Sequence, residues 1–306
     1  SMHREACEAT RIRGEQSEGV LDLRMACLDR RRQELHALVD VLTEADRAGL
    51  NQAVRAVGGL PPVQTCADLE ALASVEPPPA SGPVRARVDA VREAVAWVQA
   101  LRLAARYDDA LAQAERAWPL VPPEYPLVGA ELLHAKGNVQ IRLGTYDAAT
   151  TTLREASLTA LRSRDWITAG QVLSDLAYVT GYMQGDAARG LELVAQASAL
   201  AEATGDSQLR AATLGHEAVL YHAQGKVDRA IPLYEAALEA LPEDDPNRAL
   251  DTSGFLYNLA LAQRDAGHKD EALEELQRAE RLYAERLGPQ HPEALDARDA
   301  VAVTLF

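Results

Sequence analysis

A short pattern recurs four times at nearly constant spacing from residue 144 onward, and it limits the possible folds more than any other feature. The pattern is a glycine, any residue, a middle residue, two further residues and a small residue. It begins at Gly144, Gly185, Gly225 and Gly267, which are 41, 40 and 42 residues apart by subtraction of their positions. A weaker copy lies at 106–110. A structural unit of about forty residues is therefore repeated.

Each unit reads as two helices. Around Gly267, apolar residues recur at helical spacing on both sides: Leu256, Leu259 and Ala260 before it, and Ala272, Leu273, Leu276 and Ala279 after it. A glycine can take the left-handed conformation that ends a helix. The spacing therefore predicts two amphipathic helices folded into a hairpin. A hairpin of this size cannot bury both of its apolar faces, so it needs copies of itself on either side.

Small residues occupy a second fixed place in the pattern. Seven residues past each small residue of the pattern comes another alanine: Ala117, Ala156, Ala197, Ala237 and Ala279. A larger side chain there would force two packed helices apart. Pro122 and Pro242 follow their second helices, which they end because proline has no amide donor.

With these residues in place, the chain resembles the tetratricopeptide repeat family, whose motif has glycine and alanine at these offsets. The period exceeds the family's usual value of about 34 residues. The period is similar to that of the long-repeat variety found in kinesin light chains and bacterial signalling proteins. The sequence LGPQHP at 287–292 is typical of the inter-repeat loop of that variety. Gly190 replaces an alanine and Glu217 an apolar residue, and we expect both departures to weaken helix boundaries in the third and fourth repeats.

The resemblance implies the fold class. It is an all-α, right-handed superhelical α-solenoid of helix hairpins preceded by an N-terminal helical segment. The repeats occupy 84–306, as about five hairpins plus the first helix of a truncated sixth. Residues 1–76 are the N-terminal segment, and the proline-rich stretch 77–83 is a linker that no helix can cross.

The composition excludes several classes of partner. The chain of 306 residues has 46 Asp and Glu against 31 Lys and Arg, a formal net charge of −15. A surface this acidic repels phosphate backbones and anionic lipids, so we expect no nucleic-acid partner. No apolar run approaches the roughly 18 residues that a membrane span needs, so we expect no membrane insertion by this segment.

The N-terminal segment contains one long predicted helix. Ser17 is a suitable N-cap, and the helix should run to about Leu42. Its predicted apolar face consists of leucines: Leu21, Leu28, Leu35, Leu38 and Leu42. The basic run 30–32 is interpreted as a solvated turn paired with Asp29 and Glu34.

The string ACEATRIRGEQSEGVLDLRMACLDRRRQEL at 6–35 resembles the region that follows the catalytic domain in myxobacterial-type serine/threonine kinases with tetratricopeptide arrays. That resemblance implies a kinase elsewhere in a parent protein longer on both sides, and a location in the cytoplasm or outside it on a membrane-anchored kinase. The chain itself lacks the Gly-rich phosphate loop, the His-Arg-Asp loop and Asp-Phe-Gly. We therefore expect no enzyme activity, no catalytic residues and no cofactor in this chain.

Cysteine and histidine spacing gives no metal site. Cys7, Cys27 and Cys66 lack the short spacing of zinc ligands. Cys7 and Cys27 flank the turn at 14–17, which leaves open either a Cys7–Cys27 disulfide or two buried free thiols.

One histidine pair invites comparison with a zinc-protease motif. His216 precedes Glu217, but His222 lies six residues after the first histidine, about 240° around the helix. We therefore assign these residues separate roles on a helix surface.

The candidate binding residues follow from the resemblance. In such arrays the first helix of each pair lines the concave surface, which we call the groove surface. Positions 2, 5, 9, 12 and 13 of the repeat face this surface. Counting back from the glycines places ten residues on it: Gln99, Arg102, His134, Asn138, Arg142, Asp175, Tyr182, His222, Tyr257 and Arg264. Asn138 matches a peptide-gripping asparagine of the family, while His134 replaces its lysine.

The three arginines among these residues would give an acidic protein a comparatively basic channel, suited to carboxylates or phosphates. The alternative is an ordinary solvated helix face. The favoured hypothesis is a non-catalytic interaction region of a larger signalling protein that binds a peptide or helix in the groove. Two alternatives remain at this stage: a self-association module that forms homo-oligomers, and a small-molecule sensor.

Overall fold

A computed structural model describes residues 2–44, 53, 56–69, 72, 82–243 and 248–305. These residues are predominantly helical and contain no strand, so the all-α prediction is confirmed. They form two compact units, Ser1–Val139 with Leu158–Asp165 and Gln140–Ser157 with Trp166–Phe306. None of the described helices is both long and apolar enough to cross a membrane.

The described α-helices, in chain order, are α1 Met2–Arg11, α2 Glu18–Thr43, α3 Pro83–Leu103, α4 Tyr107–Ala117, α5 Leu127–Arg142, α6 Tyr146–Arg162, α7 Trp166–Tyr178, α8 Ala187–Thr204, α9 Ser207–Ala223, α10 Val227–Ala240, α11 Arg248–Asp265, α12 Lys269–Leu287 and α13 Pro292–Leu305. A π-helix, Val179–Met183, continues α7, and 3-10 turns occupy Val63–Ala67 and Trp118–Leu120. Among these helices, α3 packs against α4, α7 against α8, α9 against α10 and α11 against α12, as the repeat predicts.

The repeated glycines end the first helix of each pair. Gly144, Gly185, Gly225 and Gly267 have φ angles of 72°, 80°, 71° and 88°. This left-handed conformation costs glycine little, which is why the pattern carries glycine at this point. In the weak first copy Ala105 takes the same conformation with φ 58°.

Helices of the second unit pack in sequence order, and small residues fill their contacts. Each helix from α7 to α13 packs against the next along the chain. The small residues predicted to lie between helices are buried: Ala149, Ala156, Gly190, Ala197, Ala230, Ala237, Ala272 and Ala279. The hairpin stacking inferred from the repeat is therefore present in this unit.

The third repeat departs from the others where Gly190 replaces alanine. A Cβ at Gly190 would lie 2.7 Å from the Cα of Gly181, so the two backbones touch. Gly181 belongs to the π-helix, whose wider turn is marked by the hydrogen bond from Gln184 N to Val179 O. In the fourth repeat α9 runs unbroken through Glu217, so the weakening expected there is not found.

In the first unit, α2 begins as predicted, because Ser17 accepts a hydrogen bond from Val20 N. Its predicted leucine face is partly wrong: Leu38 is buried, but Leu35 is 50% exposed. Three buried residues of this half of α2, Glu34, Leu38 and Val41, all lie to one side of Leu35, about 60–120° around the helix.

The basic run of α2 is also less solvated than predicted. The Arg31–Glu34 ion pair spans 3.1 Å, and its side chains are only 16% and 9% exposed. Arg32 and Asp29 do form the exposed pair that the sequence suggested. The burial of Arg31 and Glu34 arises because α2 packs against α3.

The structure contradicts the predicted state of Cys7 and Cys27. Cys27 is bonded to Cys66, and Cys7 is a free, half-buried thiol. The ion pair between Arg24 and Glu5 sets the register of α1 against α2. Cys27 lies beyond Arg24, away from the connecting turn, whereas Cys7 lies on the turn side of Glu5, so the two sulfurs are offset. The 3-10 turn Val63–Ala67 instead brings Cys66 to α2.

The predicted linker 77–83 falls largely outside the described residues. Its last residue, Pro83, is the first residue of α3, a position that suits proline because its N–H would have no partner there. The domain boundary at this linker stays a prediction.

Candidate functional site

The ten predicted groove residues divide between the two units. Gln99, Arg102, His134 and Asn138 belong to the first unit. The second unit contains Arg142, Asp175, Tyr182, His222, Tyr257 and Arg264. In the second unit the structure gathers them around two side-chain clusters.

The first cluster joins α7, its π-helix and α9. We call Ser174, Tyr178, Tyr182 and His216 the tyrosine cluster. The rings of Tyr178 and Tyr182 stack with centroids 5.4 Å apart, and the rings of Tyr178 and His216 stack at 5.2 Å. Nδ1 of His216 lies 2.7 Å from the Ser174 hydroxyl, with which it shares a hydrogen bond. Three flat rings thus form a continuous stack, and Tyr182 at one end is 47% exposed.

The π-helix explains why only part of this cluster was predicted. Leu173 lies 12 residues before Gly185, whereas the equivalent Leu256 lies 11 residues before Gly267. The extra residue is accommodated in the wider π-turn after Tyr178. Repeat positions in α7 that are assigned by counting back from Gly185 are therefore displaced by one residue.

The corrected count changes the assignment of the third repeat. Position 5 falls on Ser174 rather than on Asp175, and position 9 falls on Tyr178. Tyr182, which lies within the π-helix, keeps its place. Asp175 was thus predicted one residue away from the groove position, and Tyr178 was missed.

Burial sets the protonation of the cluster. Burial lowers the pKa of His216, and the nearby carboxylate of Asp175 offsets this only in part, so the imidazole is neutral at neutral pH. Burial also raises the pKa of the Tyr178 phenol, with Tyr182 adding to the rise and Arg142 opposing it. Arg142 is exposed at the end of α5 and is close enough to Tyr178 to lower the pKa of its phenol.

The Ser174–His216 pair superficially resembles a nucleophile with its base. Ser174 is 1% exposed, so a substrate cannot reach its hydroxyl. The hydrogen bond therefore serves to orient the imidazole. With stacked rings and one neighbouring cation, this surface is suited to holding a ligand.

The second cluster forms around Asp265, at the end of α11. Its carboxylate lies 3.0 Å from Nε2 of His222 and 3.6 Å from Nε of Arg264. Tyr257 is close enough to Arg264 and to Asp296 of α13 for both to influence the pKa of its phenol, which burial raises. Three predicted residues are thus neighbours, but Asp265 offsets the positive charge that Arg264 was expected to supply.

In the first unit, Gln99 and Arg102 line a pocket of about 220 Å³. Its other walls are Glu34 of α2 and the backbone turn 59–61. His134 and Asn138 are half-buried on α5. The groove surface of the first pair is therefore covered by the N-terminal segment rather than open.

The residues that the sequence analysis missed are Ser174, Tyr178, His216 and Asp265. The shift in spacing before Gly185 was a usable signal for the first two. His216 and Asp265 offered none, because they reach the site through tertiary contacts. Among the described residues, no three His, Cys, Asp or Glu side chains could together hold a metal ion.

Comparison with known proteins supports the fold. Residues 168–243, which contain the tyrosine cluster, match the tetratricopeptide repeat family. The fold is the tetratricopeptide repeat fold. Repeats of this kind generally mediate protein–protein interaction and are typically non-catalytic. No curated protein matches the chain significantly in sequence.

Solved tetratricopeptide structures share this fold at low identity. BtubC (BKLC) from P. vanneervenii is 19% identical with a TM-score of 0.56, over 66% of this chain and 83% of that one. A Signal Transduction ATPase with Numerous Domains from Pyrococcus horikoshii, which has a tetratricopeptide repeat sensor, is 14% identical with a TM-score of 0.54, over 72% of this chain and 34% of that one. The apo form of RapI is 12% identical with a TM-score of 0.50, over 91% of this chain and 70% of that one.

Proposed function

We propose that this chain is a non-catalytic interaction region of a larger bacterial signalling protein, and that it binds a peptide or a helix on the groove surface of its second unit. The observation that carries the proposal is the tyrosine cluster next to Arg142. Stacked rings offer a rigid apolar surface that loses little conformational entropy on binding, and a guanidinium beside them adds charge-assisted hydrogen bonds.

The proposed partner is an extended peptide or helix with at least one carboxylate or phosphate. Arg142 is the exposed cation of the predicted set in this unit, since Arg264 lies beside Asp265. Many shallow contacts on a preformed surface give modest affinity, in the range of about 1 μM to 1 mM.

The test begins with peptides selected from a random displayed library against the full chain. Binding is then measured by titration with wild type, Arg142→Ala and Tyr182→Ala. We expect both variants to weaken binding about tenfold or more, because each removes a contact at the centre of the surface. Arg189→Ala is the matched control, since Arg189 is a half-exposed arginine of the second helix α8. Unchanged binding by both groove variants, or no selected peptide, would contradict the proposal.

We further propose that the parent protein is a serine/threonine kinase, on the basis of the resemblance at 6–35. The genomic reading frame around this segment tests that step directly. A kinase catalytic domain encoded upstream supports it, and an upstream region without one removes it while leaving peptide binding unaffected.

A further inference from the structure

The helix α2 runs beside α3 in the same direction. Near its middle, Arg31 pairs with Glu34 in a buried contact. At its end, Glu44 lies 3.8 Å from Arg106, which follows α3. Glu34 also lines one pocket with Gln99 and Arg102 of α3, so the two helices stay together along the second half of α3.

The charged residues of α2 meet residues at groove positions. Arg92 and Glu131 occupy position 2 of the first and second repeats, and they pair at 3.3 Å with side chains 9% and 16% exposed. Burial alone would raise the pKa of Glu131, but Arg30 of α2, followed by Arg92, pulls it below its ordinary value. Arg30 is thus close enough to the buried Arg92–Glu131 pair to favour the charged form of Glu131.

The pocket described above extends this contact along α3. Glu34 of α2 faces it together with Gln99 and Arg102, which occupy positions 9 and 12. Three groove positions of the first helix pair therefore face the N-terminal segment. On this stretch, the chain's own helix lies where a partner would bind.

Resting on the proposed function, we infer that α2 is a displaceable occupant of the groove surface at the first helix pair, and that the Cys27–Cys66 disulfide restrains α2 by tying it to Val63–Ala67, just after the pocket wall at 59–61. A partner that reaches Gln99 and Arg102 must first displace it. In the inferred regulation, a dithiol reductant gives two electrons and two protons to the disulfide, which becomes two thiols and frees α2 from Val63–Ala67.

The chemistry of the contact favours displacement. Burial lowers the pKa of Arg31 and raises that of Glu34, which means that both charges have lost water in the contact. A buried ion pair gains little net free energy, because desolvation cancels most of its attraction. Leu38 and Val41 add apolar burial, so α2 is docked but not held by charge pairing alone.

Hydrogen exchange of the full chain, followed by mass spectrometry, tests the inference. Reduction with dithiothreitol should raise the exchange rates of α2 amides about tenfold or more, while α3, α5 and α9 to α12 keep their protection. Equal exchange of α2 before and after reduction would overturn the inference. Loss of protection in α3 and α5 together with α2 would overturn it as well, since α2 would then be a structural part of the unit.

A pair of charge-neutralising variants shows whether the groove contact is involved. In the reduced chain, Glu131→Gln should speed α2 exchange further, whereas Glu115→Gln should not, because Glu115 is 59% exposed and pairs with Lys136 of α5 rather than with a residue of α2. Equal effects of the two variants would count against docking on the groove surface. The exchange experiment needs no peptide. The inference about α2 can therefore be overturned while peptide binding by the second unit is confirmed, and the inference can be supported while peptide binding is not found.

Discussion

Replacing Gly190 by alanine tests the close contact in the third repeat, because the family motif and the structure make opposite predictions. The motif has alanine at this position. Helix propensity alone would make Gly190→Ala stabilising by about 1 kcal/mol. In the structure, however, the added Cβ would lie 2.7 Å from the Cα of Gly181 and 3.1 Å from the carbonyl oxygen of Ala177.

Both of these neighbours are backbone atoms, so the clash cannot be relieved by rotating a side chain. Overpacking of this kind costs about 1–3 kcal/mol, and a backbone contact belongs at the upper end. Subtracting the gain in helix propensity leaves a net destabilisation of about 2 kcal/mol. For a chain of this size, that corresponds to a fall in Tm of about 4–8 °C.

The assay is thermal and urea unfolding followed by circular dichroism. Gly254→Ala is the matched control, since Gly254 is also inside a helix of the second unit but its Cβ would lie an ordinary 3.6 Å from Oη of Tyr283. We expect the control to be as stable as the wild type or more stable. A Gly190→Ala variant with wild-type or higher stability would refute the close backbone contact, and with it the packing of the π-helix.

Three further predictions concern stability. Lowering the pH from about 8 to about 5 should destabilise the second unit, because the pKa of His216 is depressed in the folded state. As the pH falls through about 6.5, the unfolded chain therefore takes up the proton before the folded chain does. In urea titrations, His216→Phe should reduce this dependence of stability on pH. Cys66→Ser should cost the first unit about 3–4 kcal/mol, because the disulfide closes a sequence separation of 39 residues, and Cys7→Ser should not; thermal melts compare them. Leu276→Ala should cost about 2–5 kcal/mol in urea unfolding because the side chain is fully buried, whereas Leu305→Ala, 62% exposed, should change stability by less than about 0.5 kcal/mol.

Much of the fold could be predicted because the repeat is local. Each glycine ends a helix by its own backbone preference, and each alanine meets a helix that is adjacent in sequence. Gly225 and Ala237 could therefore be assigned from one unit alone, and the structure agrees on both. A pattern copied several times also averages out local irregularity.

The site was harder to predict because it depends on tertiary contacts and on one insertion. A single extra residue in the π-helix moved the groove position from Asp175 to Ser174, and its trace in the sequence is one additional residue between Leu173 and Gly185. The predicted disulfide pairing was wrong for a related reason. Cys66 reaches α2 through a turn whose position no local spacing specifies.

The N-terminal segment shows the limit of reading charge from sequence. Three consecutive arginines usually mark a solvated turn, and Arg32 follows that rule. Arg31 does not, because α3 packs over it and Glu34 supplies its partner within the contact. Composition could not distinguish these two neighbours.

Site-specific photo-cross-linking tests the central claim most directly. A photoreactive amino acid replaces either Tyr182, on the proposed binding surface, or Glu192, an exposed residue of the second helix α8. With a peptide selected against the full chain, the account predicts a cross-linked product from position 182 and none from position 192. Cross-linking of equal yield at both positions, or only at position 192, would contradict it.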